Sequence, residues 1–198
     1  MPVNMPLLPR IADVDARLID NSARLTPPLG GASQTVGRLG NRYALDVSNL
    51  TVDADTARLW MAVQLKAKTE LLNVRLVWPQ ADVDGMPTGA LVDGAGQTGA
   101  LLSVKGLAAG ATLPAFSFFS FTAGGRSYLH ATTSEAVADG AGKTMVPIGP
   151  MLRNPPADGA TLNFAAPVIE GELDPGPVAW SLRRLLWTGV SFTITEDE

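Results

Sequence analysis

Residues 36–78 read VGRLGNRYALDVSNLTVDADTARLWMAVQLKAKTELLNVRLVW, and the spacing of their apolar side chains decides the fold. Arg38, Gly40 and Arg42 form a basic, glycine-containing lead-in. Behind it, Tyr43, Leu45 and Val47 alternate with Ala44, Asp46 and Ser48. That two-residue period belongs to a half-buried strand. Asp53 and Asp55 stand where a helix should begin. A short acidic side chain accepts hydrogen bonds from free N-terminal amides, and its charge suits the positive end of the helix dipole. Good helix formers follow from Ala54 to Lys68, with Lys66 and Lys68 placed for the last turn. Leu72 to Trp78, rich in Val and Leu, reads as a second strand. The unit is therefore strand, helix, strand. No side chain in it is poised for chemistry, so function must follow from what the unit builds.

Outward from this unit, composition narrows the class. The chain has 198 residues, enough for one large or two small domains with a sizeable core. Hydrophobic residues make up 46% and charged residues 17%, so the chain reads as globular and light in surface charge. Neutral surface of that extent favours burial against other subunits. The net charge of −4 supplies no basic footprint for nucleic acid. The absence of cysteine excludes disulfides and thiolate metal sites, and a single histidine, His130, excludes a histidine-rich one. There is no apolar run of membrane-spanning length, and MPVNMPLLPR lacks the charged and apolar regions of a signal peptide, which reads as a soluble chain. Twenty glycines and 15 prolines, spread along the chain, indicate a β fold with many turns.

Residues 1–21 read as an extended arm with a short strand, and Thr26–Gln34 as a loop punctuated by Pro27-Pro28 and Gly30-Gly31. The stretch from Pro79 to Gly99 is dense in Gly, Pro and Asp, fits no periodic element, and marks a boundary. Short strands follow at Ala100–Val104, Ala115–Thr122, Ser127–Thr132 and Thr144–Ile148, with Gly124-Gly125 at hairpin spacing. In AFSFFSFT the register shifts at Phe118-Phe119, which indicates either a bulge or a strand buried on both sides. After a turn-rich link at Met151–Leu162, Trp187–Thr195 alternates again, with Val190, Phe192 and Ile194 on one face. It should return to complete the first sheet, which has too few strands alone. The expected organisation is a first β domain with one helix from residues 1–80 and 169–198, interrupted by a second β unit at 90–168 whose short strands argue for a small barrel or sandwich.

The apparent chemical motifs have simpler readings. Gly94-Ala95-Gly96-Gln97-Thr98-Gly99 matches GxGxxG but lacks the flanking strand and helix that would aim it at a pyrophosphate. Gly142-Lys143-Thr144 lacks the first P-loop glycine, and Pro147 and Pro150 forbid the following helix. Asp82, Asp84 and Gly85 begin a calcium-loop pattern that is not completed. His130 reads as structural or surface, Arg183-Arg184 as a solvated pair, and Trp60, Trp78, Trp180 and Trp187 as core. No catalytic, cofactor or metal group is expected.

Several of these segments, in this order, carry a resemblance. TPPLGGASQTVGRLGNRYALDV precedes a helix with Ala57 and Trp60; VDGAGQTGALLSVKG, an Arg126-Ser127-Tyr128-Leu129 strand and DGAGKTMVPIGPMLRNPPADGATL follow; WTGVSFTITE closes. From about Leu25 onward the chain resembles tail-tip proteins of long-tailed bacteriophages and prophages, of the distal tail protein type. Asp93 departs from the asparagine usual in the family's ‘NGAGQTG’. The resemblance implies a tail-tube-like β-sandwich with one helix and an inserted barrel. It implies a structural virion protein that forms a ring, typically of six copies, joining the tail tube protein to the tip hub protein. DNA would only pass through the lumen, for which mild acidity is suitable. Assembly would occur in the host cytoplasm, without membrane insertion, cofactor or catalysis. Arg38, Arg42, Tyr43, Trp60 and Lys66 are the candidate ring-forming residues. The alternative is a receptor- or glycan-binding module, which requires exposure of Trp60, Trp78, Trp180, Trp187, Tyr43 or Tyr128. A nucleotide-dependent enzyme is a remoter reading, and would depend on Lys143.

Overall fold

The computed structural model describes residues 1–9, 12–28, 30–80, 86–176, 178, 181–182 and 187–197, with backbone alone for Asn49, 181–182 and 187–189. In chain order the elements are β1 (Val3–Asn4), β2 (Asp13–Ile19), β3 (Ala23–Leu25), β4 (Gln34–Val36), β5 (Arg42–Val52), α1 (Ala54–Glu70) and β6 (Val74–Val77). Then come β7 (Leu91–Val92), β8 (Gly99–Lys105), β9 (Thr112–Leu113), β10 (Phe118–Ala123), β11 (Arg126–Thr132), β12 (Ala136–Val137) and β13 (Thr144–Leu152). β14 (Val168–Leu173), β15 (Ser181–Leu182) and β16 (Trp187–Glu196) follow. The fold is mainly β, with several sheets, a half-barrel and, among the described residues, one helix.

The helix starts and stops for local reasons. Asp53 Oδ1 accepts the amides of Asp55 at 3.0 Å and Thr56 at 2.9 Å. Ala57, Trp60, Gln64 and Ala67 form its buried stripe at helical spacing. It ends two residues later than expected, at Glu70, where Leu71 turns left-handed and the Leu72 amide donates back to the Ala67 carbonyl at 2.9 Å. Lys68 lies in the last turn; Lys66 precedes it.

The largest sheet runs β1-β6-β14-β16-β5-β2, with β15 beside β16. The strand–helix–strand unit is present, but β5 and β6 are not neighbours, because β14 and β16 lie between them. α1 is thus a crossover spanning the sheet. β16 returns as expected and pairs with both β5 and β14. Tyr43, Leu45 and Val47 are buried as their alternation requires; Ala44, on the other face, is buried too. The expected strand at Leu72–Trp78 is confined to Val74–Val77. Residues 1–21 hold two strands, β1 parallel to β6 and β2 along β5.

A second sheet, β10-β11-β13-β8-β7, has its own core, which includes Val104, Phe119, Phe121, Val146 and Phe164. Gly124 and Gly125, both at positive φ, close the β10–β11 hairpin in the two-residue form. β10 settles the ambiguity of the phenylalanine run. Phe118 joins the first core, beside Tyr43 and Trp78, while Phe119 and Phe121 join the second. The strand is buried on both sides, with no bulge. It begins at Phe118 rather than Ala115, because Phe116 takes φ 62° and turns outward. β13 continues past Ile148 to Leu152, and β7 lies within the Pro79–Gly99 stretch expected to hold no element.

Candidate functional site

The motif-like segments are turns held by their own side chains. Residues 93–98 connect β7 to β8, and Gln97 fills the bend: its Nε2 donates to the Asp93 carbonyl at 2.9 Å and its Oε1 accepts the Ser103 amide at 2.6 Å. Before β13, Asp139 Oδ1 accepts the amides of Ala141 and Lys143, each at 2.8 Å. Lys143 Nζ then bonds Asp93 at 2.8 Å, and Lys105 bonds Asp158 at 2.6 Å. These ammonium groups hold the Asp93 and Asp158 carboxyls below the usual range. The lysines are occupied in closing one end of the second unit. Asp82, Asp84, Gly85, Arg183 and Arg184 lie outside the described residues.

His130 is a core residue. Its ring lies between Phe119 and Phe121, at centroid distances of 5.9 and 5.4 Å, and its Nδ1 sits 2.9 Å from the Pro150 carbonyl. Burial pushes its pKa down to about 4, so it is neutral and donates from Nδ1. Among the described residues no group of three His, Asp or Glu is placed to hold a metal ion. No described helix is long and apolar enough to cross a membrane.

The candidate ring residues separate into two kinds. Arg38, between β4 and β5, and Lys66, on α1, are exposed. Arg42 opens β5 half-buried and lines a polar cleft with Glu172, Asp174 and Asp197. Tyr43 and Trp60 need correction, because both are buried within the chain. The Tyr43 hydroxyl donates to the Gly149 carbonyl at 3.1 Å, and Trp60 stacks on Phe192 at 5.4 Å. Their rings join elements of one molecule and offer no surface to another. Trp78 and Tyr128 are buried as well; Trp180 and the Trp187 side chain lie outside the described residues.

The surface that stands out is a ribbon. β2 and β5 pair as far as Ile19 and Arg42, and the two chains then leave the sheet together. The Asn21 amide donates to Asn41 Oδ1 at 2.7 Å, and β3 pairs with β4 beyond it. No side chain of β3 or β4 is buried, and Leu25 (56%) and Leu39 (63%) are largely exposed. A two-stranded ribbon without a core is marginal in water. Arg24 and Arg38 lie on it, with no acidic residue from Ala23 to Gly40. β2, the last strand of the sheet, displays Asp13 and Asp15, both exposed. The periodicity of the sequence marked this region only as a loop and a lead-in.

Neither a scan of protein-family models nor a search of curated proteins finds a match to this chain.

Between the two cores lies a seam of buried carboxylates. Glu170 on β14 accepts the Ser127 amide at 2.8 Å and Arg75 Nε at 2.6 Å. Glu196 on β16, paired with Gly171 of β14, accepts the amides of Leu129 at 2.8 Å and Tyr43 at 3.2 Å. Arg153 approaches Glu196 at 2.7 Å, with both side chains buried. β11 pairs with β13 at Ala131 and Thr132; ahead of that, carboxylates take the place of a strand. Burial raises the Glu196 carboxyl above its ordinary value, against the pull of Arg153 and the two amides.

Proposed function

We propose that the protein is a structural subunit of a bacteriophage tail tip, forming a ring of six copies that joins the tail tube to the tip hub. In this reading it resides in the virion, assembles in the host cytoplasm, performs no catalysis, and meets DNA only in transit. The resemblance in segment order supports the family. The mainly β architecture with one helix is compatible with it.

The observation that carries the ring is the uncovered β3–β4 ribbon. Its exposed leucines, Leu25 and Leu39, are covered by no surface among the described residues. Its arginines are opposite in sign to the exposed Asp13 and Asp15 of the β2 edge. A basic arm and an acidic open edge at different places on one molecule suit a head-to-tail contact, the type that closes into rings. The glycan-binding alternative required an exposed ring; Tyr43, Trp60, Trp78 and Tyr128 are buried, while Trp180 and the Trp187 side chain lie outside the described residues.

The test is the mass of the purified protein by light scattering, beside a variant in which Asn-Gly replaces Arg24–Thr35. Ala23 and Val36 are paired, so a two-residue turn closes the shortened ribbon. A hexamer that becomes a monomer with its melting transition intact is the expected result. A wild-type chain that stays monomeric at all concentrations overturns the reading.

A further inference from the structure

Trp60 and Gln64 lie one helical turn apart in the buried stripe of α1. The Gln64 carboxamide is fully buried, and neither its Nε2 nor its Oε1 makes a hydrogen bond among the described residues. The Trp60 indole N–H is buried and unpaired as well. Polar groups that lose their hydration on folding are normally hydrogen-bonded, so an orphaned carboxamide marks a place where a partner belongs.

Gln64 lines a cleft of about 500 Å³ bounded by α1, β5, β16 and the segment that follows β14. Ordinary ligand pockets span roughly 300–1,000 Å³. The charged side chains of this cleft are already engaged. Asp46 bonds Arg17 and accepts the Thr193 hydroxyl at 2.5 Å, and Asp174 accepts the Thr195 hydroxyl at 2.7 Å. Lys68 donates to the carbonyls of Asp174 and, at 3.4 Å, Leu173. The apolar lining includes Val47, Leu173 and Phe192, and Phe192 stacks on Trp60. Gln64 therefore offers the cleft a neutral acceptor oxygen and two donor hydrogens beside apolar walls.

We infer that this cleft binds an extended peptide segment of a protein partner through Gln64. In a β ladder one residue exchanges both its N–H and its C=O with a single partner residue. A carboxamide carries both complementary functions, so Gln64 can take that partner's place. The apolar walls receive the side chain of the bound residue. Because Asp46, Asp174 and Lys68 are satisfied within the chain, the cleft favours a neutral ligand over one that needs a counter-charge. The site shares no residue with the β3–β4 ribbon and does not depend on ring formation.

The probe is acetyl-leucine N-methylamide, one residue with a peptide bond on each side, followed by saturation-transfer NMR. That measurement observes the peptide and serves a monomer and a ring alike. Saturable transfer with a Kd on the order of 1 mM is expected. Methylating the leucine nitrogen removes the donor and should weaken binding about tenfold or more. Gln64→Met, which keeps an unbranched side chain and deletes both polar atoms, should do the same, with a melting temperature equal to or above that of wild type. A wild type that shows no saturable transfer up to roughly 10 mM overturns the inference. So does undiminished binding by Gln64→Met, or by wild type of the methylated peptide, an outcome that needs no variant to fold. Saturable binding of N-acetylglucosamine without binding of the peptide would assign the cleft to a sugar amide and also overturn it. The ring reading is decided separately, by the mass of the purified protein.

Discussion

The Glu196 carboxylate accepts the backbone amide of Leu129 at 2.8 Å, across 67 residues of sequence, and so ties the closing strand of one sheet to a strand of the other. The same carboxylate meets Arg153 at 2.7 Å and the Tyr43 amide at 3.2 Å. One side chain thus serves both cores.

Removing it should be costly. Glu196→Ala leaves a buried guanidinium and two amide donors without their partner, a loss of about 3–5 kcal/mol. That is a large part of the stability of an ordinary domain. Urea denaturation should show it, with the single transition resolving into two as the cores uncouple. Replacing both partners, Glu196→Leu with Arg153→Met, should recover part of the loss. A cost below about 1 kcal/mol for Glu196→Ala would mean that the seam does not hold the sheets together.

His130 predicts an acid-side weakening of the fold. Its folded pKa is pushed down by burial to about 4, whereas the unfolded side chain titrates near the ordinary histidine value of 6.5. Between these values the unfolded chain binds the extra proton. Stability from this group is therefore complete above pH ~6.5 and declines as the pH falls towards ~4, by on the order of 3 kcal/mol in total. His130→Gln keeps a donor for the Pro150 carbonyl and does not titrate. The difference in urea midpoint between the two proteins should change across this window. Glu196, shifted upward, acts in the opposite sense but is common to both. Parallel pH profiles would contradict a buried neutral histidine.

Ala62 is exposed on α1, so Ala62→Pro acts through the backbone alone. It removes one helical hydrogen bond and crowds the preceding turn, at about 3 kcal/mol or more. Circular dichroism should register the shortened helix, and light scattering the loss of assembly. Rings formed at wild-type concentration would show that α1 is not needed to build them.

Lys143 should be silent. It closes a surface turn against Asp93, so Lys143→Ala should leave assembly unchanged. Neither protein should bind a nucleotide triphosphate in equilibrium dialysis. Saturable binding to wild type that the substitution abolishes would revive an enzymatic reading.

Features with short-range causes were legible in the chain. The Asp53 cap depends on amides two and three residues away. Gly124-Gly125 supplies the positive φ of a tight turn at no steric cost. The alternation of Tyr43, Leu45 and Val47 marks a strand wherever it is placed. The ring candidates were legible only as residue types. Arg38 and Lys66 are on the surface, while Tyr43 and Trp60 are inside, because a large amphipathic ring in an apolar run fits an interface and a core equally well. Phe116 had no local signal: within a run of phenylalanines, nothing local shows that one of them faces water.

By itself, then, the sequence determined that the chain is mainly β, that one helix follows Asp53, and that a strand near the C-terminus returns to the first sheet. Those outcomes rest on periodicity, capping and turn chemistry, which act over a few residues. Only the tertiary structure decided that β14 and β16 separate β5 from β6, that Glu170 and Glu196 occupy the free edge of β11, and that Leu71 and Phe116 stand exposed on strained backbone. Those depend on which distant strands pack together, and hydrophobic burial, being non-directional, does not encode its partners in local pattern.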